Sequence, residues 1–193
     1  MDVNYYLEQG LKCRDKGEYH TAINYFKEAL RYVPDFDMLD FVDVHILLAD
    51  AYIKANQDYT EAIKCCDNAL RYKPDFTKAH LLKAQAYIDG FQDYQKAIGC
   101  YYNIIEYKPD YEKAHFAIGK ALMDGFQDYM TARACFEMAT KCKQDFAEAH
   151  FLKGHCYILY KNETNKAIDC YKNAARLGLG DAQALLKTLG VDW

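Results

Sequence analysis

The sequence has little proline, no long apolar run and no excess of positive charge. Three prolines and ten glycines among 193 residues exclude a collagen-like chain or a proline-rich linker. No apolar run approaches the ~18 residues that span a bilayer, so we expect no membrane association. Lys and Arg number 24 against 28 Asp and Glu, which argues against a general nucleic-acid binder. With 51% hydrophobic residues, the chain can still bury a sizeable core.

A secretory signal and the usual cysteine motifs are also missing. The first ten residues have neither the basic nor the apolar segment of a signal peptide, which predicts a cytoplasmic protein. The eight cysteines include no C-x-x-C pair, so the zinc-ribbon and thioredoxin spacings fail. Four of them, Cys65, Cys100, Cys135 and Cys170, recur at 35-residue steps. Equivalent residues of stacked helices lie roughly 10 Å apart, beyond the ~7 Å Cα separation that a disulfide allows. We therefore expect reduced, buried thiols.

A 35-residue period is the strongest signal in the chain. Besides the four cysteines, it is kept by two further sets of residues: His45, His80, His115 and His150, and Ala62, Ala97, Ala132 and Ala167. Self-similarity at a fixed period of this length is typical of a solenoid, a propeller or another array.

Residues 78–108 indicate what one repeat contains. Small and apolar side chains recur there at i, i+4 and i+7, which predicts two helices. Gly90 is expected to end the first helix, and Asp93 to cap the start of the second. Pro109 should end the second helix, with Asp110 capping the first helix of the next repeat. Each repeat is therefore predicted as helix, short turn, helix, short turn, and no stretch has the period of a strand.

The pattern resembles the tetratricopeptide repeat, whose signature combines small residues, aromatic residues and a closing proline at set spacings. The fourth repeat carries Gly119, Tyr129, Ala132, Phe136 and Ala139 at the matching positions. This resemblance covers about residues 3–178 and implies an all-α fold, a right-handed α-solenoid of five helix pairs with a C-terminal capping helix. It predicts one domain, 1–193, with the following parts: repeats 3–36, 42–76, 77–111, 112–146 and 147–180, and a capping helix at 181–190.

In the resembled family, the first helix of each repeat lines a concave surface that holds a peptide. The matching positions here, termed the inner stripe, place two apolar residues around one polar residue in four repeats. They are Ile46, Asp50 and Ile53; Leu81, Gln85 and Ile88; Phe116, Lys120 and Met123; and Phe151, His155 and Ile158. Such a strip suits a hydrophobic or amphipathic peptide. The same pattern is expected if the stripe packs on adjacent helices and completes the core, and the sequence leaves both interpretations open.

One subtype of the family can be compared residue by residue. Its cochaperones hold the C-terminal carboxylate of heat-shock chaperones with Lys, Asn and Arg side chains. Here Lys78 matches, but leucines occupy the other positions: Leu7, Leu11, Leu47 and Leu82. A chaperone-tail function is therefore not expected.

Metal sites and catalysis are not predicted either. The periodic histidines occur once per repeat, so neighbouring ones are too far apart to share one ion. None of the common zinc-protease, serine-hydrolase, P-loop or dinucleotide motifs is present. We therefore expect no metal, no cofactor and no enzymatic activity.

The sequence thus predicts a non-catalytic scaffold whose concave face binds a peptide or helical segment of a partner protein. The alternative is self-association, in which the same apolar surface or the Trp193 end packs against a second copy to form a homo-oligomer.

Overall fold

The structure, a computed structural model, describes residues 3–31, 38–55 and 58–193. All regular elements in these ranges are helices, which confirms the all-α prediction. In chain order they are α1 (Val3–Asp15), α2 (Tyr19–Arg31), α3 (Met38–Lys54), α4 (Tyr59–Tyr72), α5 (Thr77–Phe91), α6 (Tyr94–Tyr107), α7 (Glu112–Phe126), α8 (Tyr129–Cys142), α9 (Ala147–Lys161), α10 (Thr164–Arg176) and α11 (Gly180–Thr188). Within these ranges, no helix is both long and apolar enough to cross a membrane.

The helices form two compact units, residues 1–103 and 104–193. In the first unit, α1 packs on α2 and α3 on α4, around a core that includes Phe26, Val44 and Cys66. In the second unit, α7 packs on α8, α9 on α10, and α11 on α10. The single-domain organisation stays a prediction. The predicted end of the first repeat, 32–36, lies outside the described residues.

The first helix of repeats three to five ends in a left-handed residue. These residues are Gln92, Gln127 and Asn162, each with φ of 52° or 53°. The prediction that Gly90 ends its helix is therefore wrong, because Gly90 lies inside α5. Its missing side chain serves packing instead, since an added Cβ would lie 2.4 Å from Cγ of Tyr59. The glycine is required by close approach of a ring rather than by a turn.

Aspartates cap the second helices of repeats two to four, and the predicted cap at Asp93 is confirmed by a 3.0 Å bond from the Lys96 N–H. The predicted cap at Asp110 is wrong, since α7 is preceded by Tyr111 without a side-chain cap bond. A backbone bond from the Tyr111 N–H to the Lys108 carbonyl closes the turn there, so the helix begins two residues after Asp110. Two other second helices carry the same aspartate cap at 3.0 Å: Asp58 for α4 and Asp128 for α8.

Candidate peptide-binding surface

Periodic histidines hold the first helices of repeats three to five against the turns that precede them. In each case the Nε2–H donates to the carbonyl of the residue six positions earlier. The pairs are His80 with Pro74 at 2.9 Å, His115 with Pro109 at 2.8 Å, and His150 with Gln144 at 3.0 Å. These histidines therefore position helices. Among the described residues, no group of three or more His, Cys, Asp or Glu could hold a metal ion.

His45 differs from the other three periodic histidines. It is buried in α3, and its ring packs edge-on against Phe41 with centroids 4.3 Å apart. Within the described ranges its Nδ1 has no hydrogen-bond partner, as is also the case for Nδ1 of His80. Burial lowers the pKa of His45 to about 4, because a low-dielectric site disfavours the charged imidazolium. His45 is thus a neutral core residue at physiological pH.

Two glycines set how closely the first helices of the second unit approach their partners. A Cβ added at Gly119 would lie 2.8 Å from the ring of Phe136. The equivalent Cβ at Gly154 would lie 2.5 Å from the ring of Tyr171. Real side chains do not come this close, so both positions require glycine for the observed packing. The rings of α8 and α10 thereby lie directly against the backbones of α7 and α9.

The inner-stripe phenylalanines rest on the same two rings. The ring centroids of Phe116 and Phe136 are 5.6 Å apart, with an interplanar angle of 55°. Phe151 lies 5.5 Å from Tyr171, with an angle of 53°. Such tilted pairs are the favourable geometry for aromatic side chains. Both phenylalanines are half-buried, so each supports the core with one side and leaves part of its surface open.

The other inner-stripe residues of the second unit are also in reach of solvent. Met123 and Ile158 are half-buried, and Lys120 is exposed. The Cys156 thiol donates to Sδ of Met123 at 3.6 Å, which brings α7 and α9 into contact. His155 is half-buried, and its Nδ1–H donates to the Phe151 carbonyl at 3.2 Å. The stripe therefore continues from α7 to α9 with polar groups between apolar ones.

In the first unit, the second-repeat part of the stripe is largely covered. Ile46 and Ile53 are 3% and 5% exposed and belong to the core, against which Leu7 and Leu11 of α1 also pack. Asp50 is half-buried and pairs with Lys54 at 2.8 Å. The third-repeat part is more open, because Leu81 and Ile88 are half-buried and Gln85 is exposed. Apolar positions of equal spacing thus differ in exposure.

Two exposed residues beside the inner stripe of the second unit were not among those predicted from the sequence. Leu159 follows His155 by one helical turn and is 51% exposed. Lys113 precedes Lys120 by seven residues on α7, and both are exposed. Neither lysine forms an ion pair within the described ranges. The sequence offered one signal for each: Leu159 follows Phe151 by eight residues, and Lys113 precedes Lys120 by seven, spacings that keep two side chains on one helix face.

Two family models described as tetratricopeptide repeat match the chain, at residues 14–85 and 147–177. Together they cover just over half of the sequence and include helices from both units. No curated protein sequence matches the chain.

Solved structures of MamA have a similar fold. A crystal structure of MamA protein superposes with a TM-score of 0.76 at 20% identity, covering 94% of each chain. Another crystal structure of MamA gives 0.75 at 21% identity, covering 95% of this chain and 98% of that one. MamA 41-end from Desulfovibrio magneticus RS-1 gives 0.75 at 17% identity, with 91% and 94% covered. At these identities the likeness shows the fold alone.

Proposed function

Because the chain belongs to the tetratricopeptide repeat family of protein-interaction modules, we propose that the inner stripe of the second unit binds an apolar or amphipathic segment of a partner protein. The observation that carries this proposal is the open part of the stripe on α7 and α9. There, half-buried phenylalanine, methionine and isoleucine side chains alternate with Lys120 and His155. Each apolar side chain can bury further area against a partner, at about 25 cal/mol per Å².

The charge on this surface favours an acidic residue in the bound segment. Lys113 and Lys120 are separated by seven residues, or about 10 Å along the helix axis. Asp124 is exposed one turn further on, but it forms no ion pair with Lys120 among the described residues. A partner carboxylate near Lys120 would gain a charge-assisted contact without breaking an existing one.

A non-catalytic role in a reducing compartment is part of the same proposal. All eight cysteines are free thiols, and five of them are buried: Cys65, Cys66, Cys100, Cys156 and Cys170. Buried free thiols suit a cytoplasmic scaffold.

Peptide selection, followed by binding measurements on paired variants, tests whether the inner stripe of the second unit binds peptides. A library of synthetic peptides with varied apolar spacing and charge is screened, and affinities of the selected peptides are measured by fluorescence anisotropy. The test variant combines Lys120→Glu with Leu159→Glu on the inner surface. The control combines Lys187→Glu with Leu189→Glu, which makes the same chemical changes at exposed positions at the end of α11.

We expect the Lys120/Leu159 variant to bind at least about tenfold more weakly, a loss of ~1.4 kcal/mol, and the control to stay within about twofold. Because the changed residues are exposed, both variants should melt as the parent does. Equal affinity of the two variants for every selected peptide would contradict the proposed site.

Self-association is the second candidate, because the second unit exposes large apolar side chains near its helix–helix turns. Met130 and Tyr160 are exposed and in contact, with the tyrosine hydroxyl donating to Sδ at 3.4 Å. Phe126 and Leu159 are exposed as well. Light scattering over a wide concentration range tests this candidate, and Met130→Glu with Tyr160→Glu should shift an oligomer to monomer. A monomer at all concentrations would exclude it.

A further inference from the structure

A shallow surface cavity of about 350 Å³, open to solvent, lies between the start of α9 and the end of α10, and four of its five lining residues are exposed. It contains no inner-stripe residue. Its lining combines one guanidinium, two carboxamides, one imidazole and an apolar wall: Arg176, Gln144, Asn173, His150 and Leu177. The volume is at the lower end of the range for small-molecule sites, about 300–1,000 Å³.

This polar lining distinguishes the last repeat from the one before it. The residues 35 positions earlier are Pro109, His115, Met138, Lys141 and Cys142. The histidine is common to both repeats, while proline and methionine replace the two carboxamides. Asparagine also stands at the position of Asn173 in repeats two and three, as Asn68 and Asn103, so the specific feature of this cavity is Gln144 in place of the repeat proline.

The cation at the cavity also lacks the acidic partner that the fourth repeat provides. Lys141 pairs with Glu137 one turn earlier on α8, at 3.3 Å. At the matching position before Arg176, the chain has Lys172, so two cations stand at i and i+4 on α10. Like charges at this spacing destabilise a helix slightly. Within the described ranges Arg176 forms no ion pair, and it donates one side-chain hydrogen bond, to Oδ1 of Asn173 at 3.5 Å.

No acidic side chain is among the described residues that line the cavity. Asp145 and Glu148 are the acids closest in sequence to Gln144 and His150, and neither pairs with Arg176 in the described part of the chain. The Nε2–H of His150 donates to the Gln144 carbonyl, which leaves Nδ1 for another partner. The two carboxamides add N–H donors. Arginine is well suited to such a place, because its planar donors match the oxygens of a carboxylate or a phosphate.

We propose that this cavity binds a small oxyanion, a carboxylate or a phosphate group, through Arg176 with support from Asn173 and Gln144. Leu177 forms an apolar wall on which a short alkyl chain attached to the anion can pack. The site does not depend on the inner stripe, so failure of peptide binding there would leave it standing.

Titration with glutarate and with inorganic phosphate at constant ionic strength tests the site. Binding is followed by NMR through the Arg176 Nε–H and the backbone amides of residues 144, 150, 173 and 177. We expect saturable shifts at these groups. Arg176→Gln should weaken binding at least about tenfold, whereas the matched control Lys141→Gln should stay within about twofold. Asn173→Met, which restores the residue of the fourth repeat, should also weaken binding.

The two ligands identify the source of the anion. Saturation by glutarate alone assigns a carboxylate, saturation by phosphate alone assigns a phosphate, and saturation by both supports a general oxyanion site. The proposal is overturned if neither ligand saturates, or if Arg176→Gln and Lys141→Gln change the titrations equally while both variants melt as the parent does.

Discussion

Replacing Gly154 with alanine tests how tightly α9 packs on α10. An added Cβ would lie 2.5 Å from Cε1 and 2.8 Å from Cδ1 of Tyr171, where ordinary contacts begin near 3.4 Å. Tyr171 is only 4% exposed, and its ring lies 5.5 Å from the rings of both Phe151 and His155. The ring therefore cannot move aside without displacing residues of the inner stripe.

Two opposing contributions determine the size of the effect. Overpacking a core costs about 1–3 kcal/mol, whereas alanine gains ~1 kcal/mol over glycine inside a helix. Gly99 lies inside α6, and an added Cβ there meets no atom within 4 Å. Gly99→Ala therefore reports the helix contribution alone. We expect Gly154→Ala to be less stable than Gly99→Ala by about 1–3 kcal/mol.

Urea unfolding followed by circular dichroism measures both variants against the parent. A Tyr171→Leu background supplies a double-mutant cycle, because the smaller side chain makes room for the new methyl group. The cost of Gly154→Ala should largely disappear in that background. If Gly154→Ala stabilised the protein as much as Gly99→Ala does, the close packing of the glycine on the ring would be refuted.

Three further predictions concern pH, capping and thiol access. Burial lowers the pKa of His45 to about 4, so the unfolded chain binds the proton first. The stabilisation of the folded state that comes from neutral His45 is complete above about pH 6.5. It falls by up to about 3 kcal/mol as the pH drops toward 4. His45→Leu should flatten this part of the pH–stability curve, and exposed His20→Leu should not. Asp128→Ala, which removes the cap bond to the Thr131 N–H, should lower the free energy of unfolding by ~1 kcal/mol in thermal melts. Exposed Asp124→Ala should not lower it. Brief alkylation of the native protein, read by intact mass, should first label the three half-buried cysteines, Cys13, Cys135 and Cys142. Equal labelling of all eight would contradict the burial of the other five.

The fold class could be predicted because helix formation depends on short-range spacing. Side chains at i, i+4 and i+7 share one helix face whatever lies beyond it, and a 35-residue period repeats that face. The same locality explains why Asp93 was recognised as a cap. Its carboxylate binds an N–H only three residues away, so no distant part of the chain is involved.

The two wrong predictions have different causes: one is a contact with a residue distant in sequence, and the other is a local turn. Gly90 looks like a helix end, but it is needed because the ring of Tyr59 approaches its Cα. Asp110 looks like a cap, but the turn closed by Tyr111 moves the start of the helix past it.

The inner stripe shows the same limit of sequence patterns most clearly. Ile46 and Phe116 hold equivalent positions in their repeats, yet Ile46 is buried and Phe116 is half-buried. The sequence places each on the same face of its own helix and leaves open whether that face lines a groove or packs on the core. How much of that face remains open depends on what else packs against it, as Leu7 and Leu11 do on the core that contains Ile46. Exposure is a property of the packed neighbours, and helical periodicity contains no information about them.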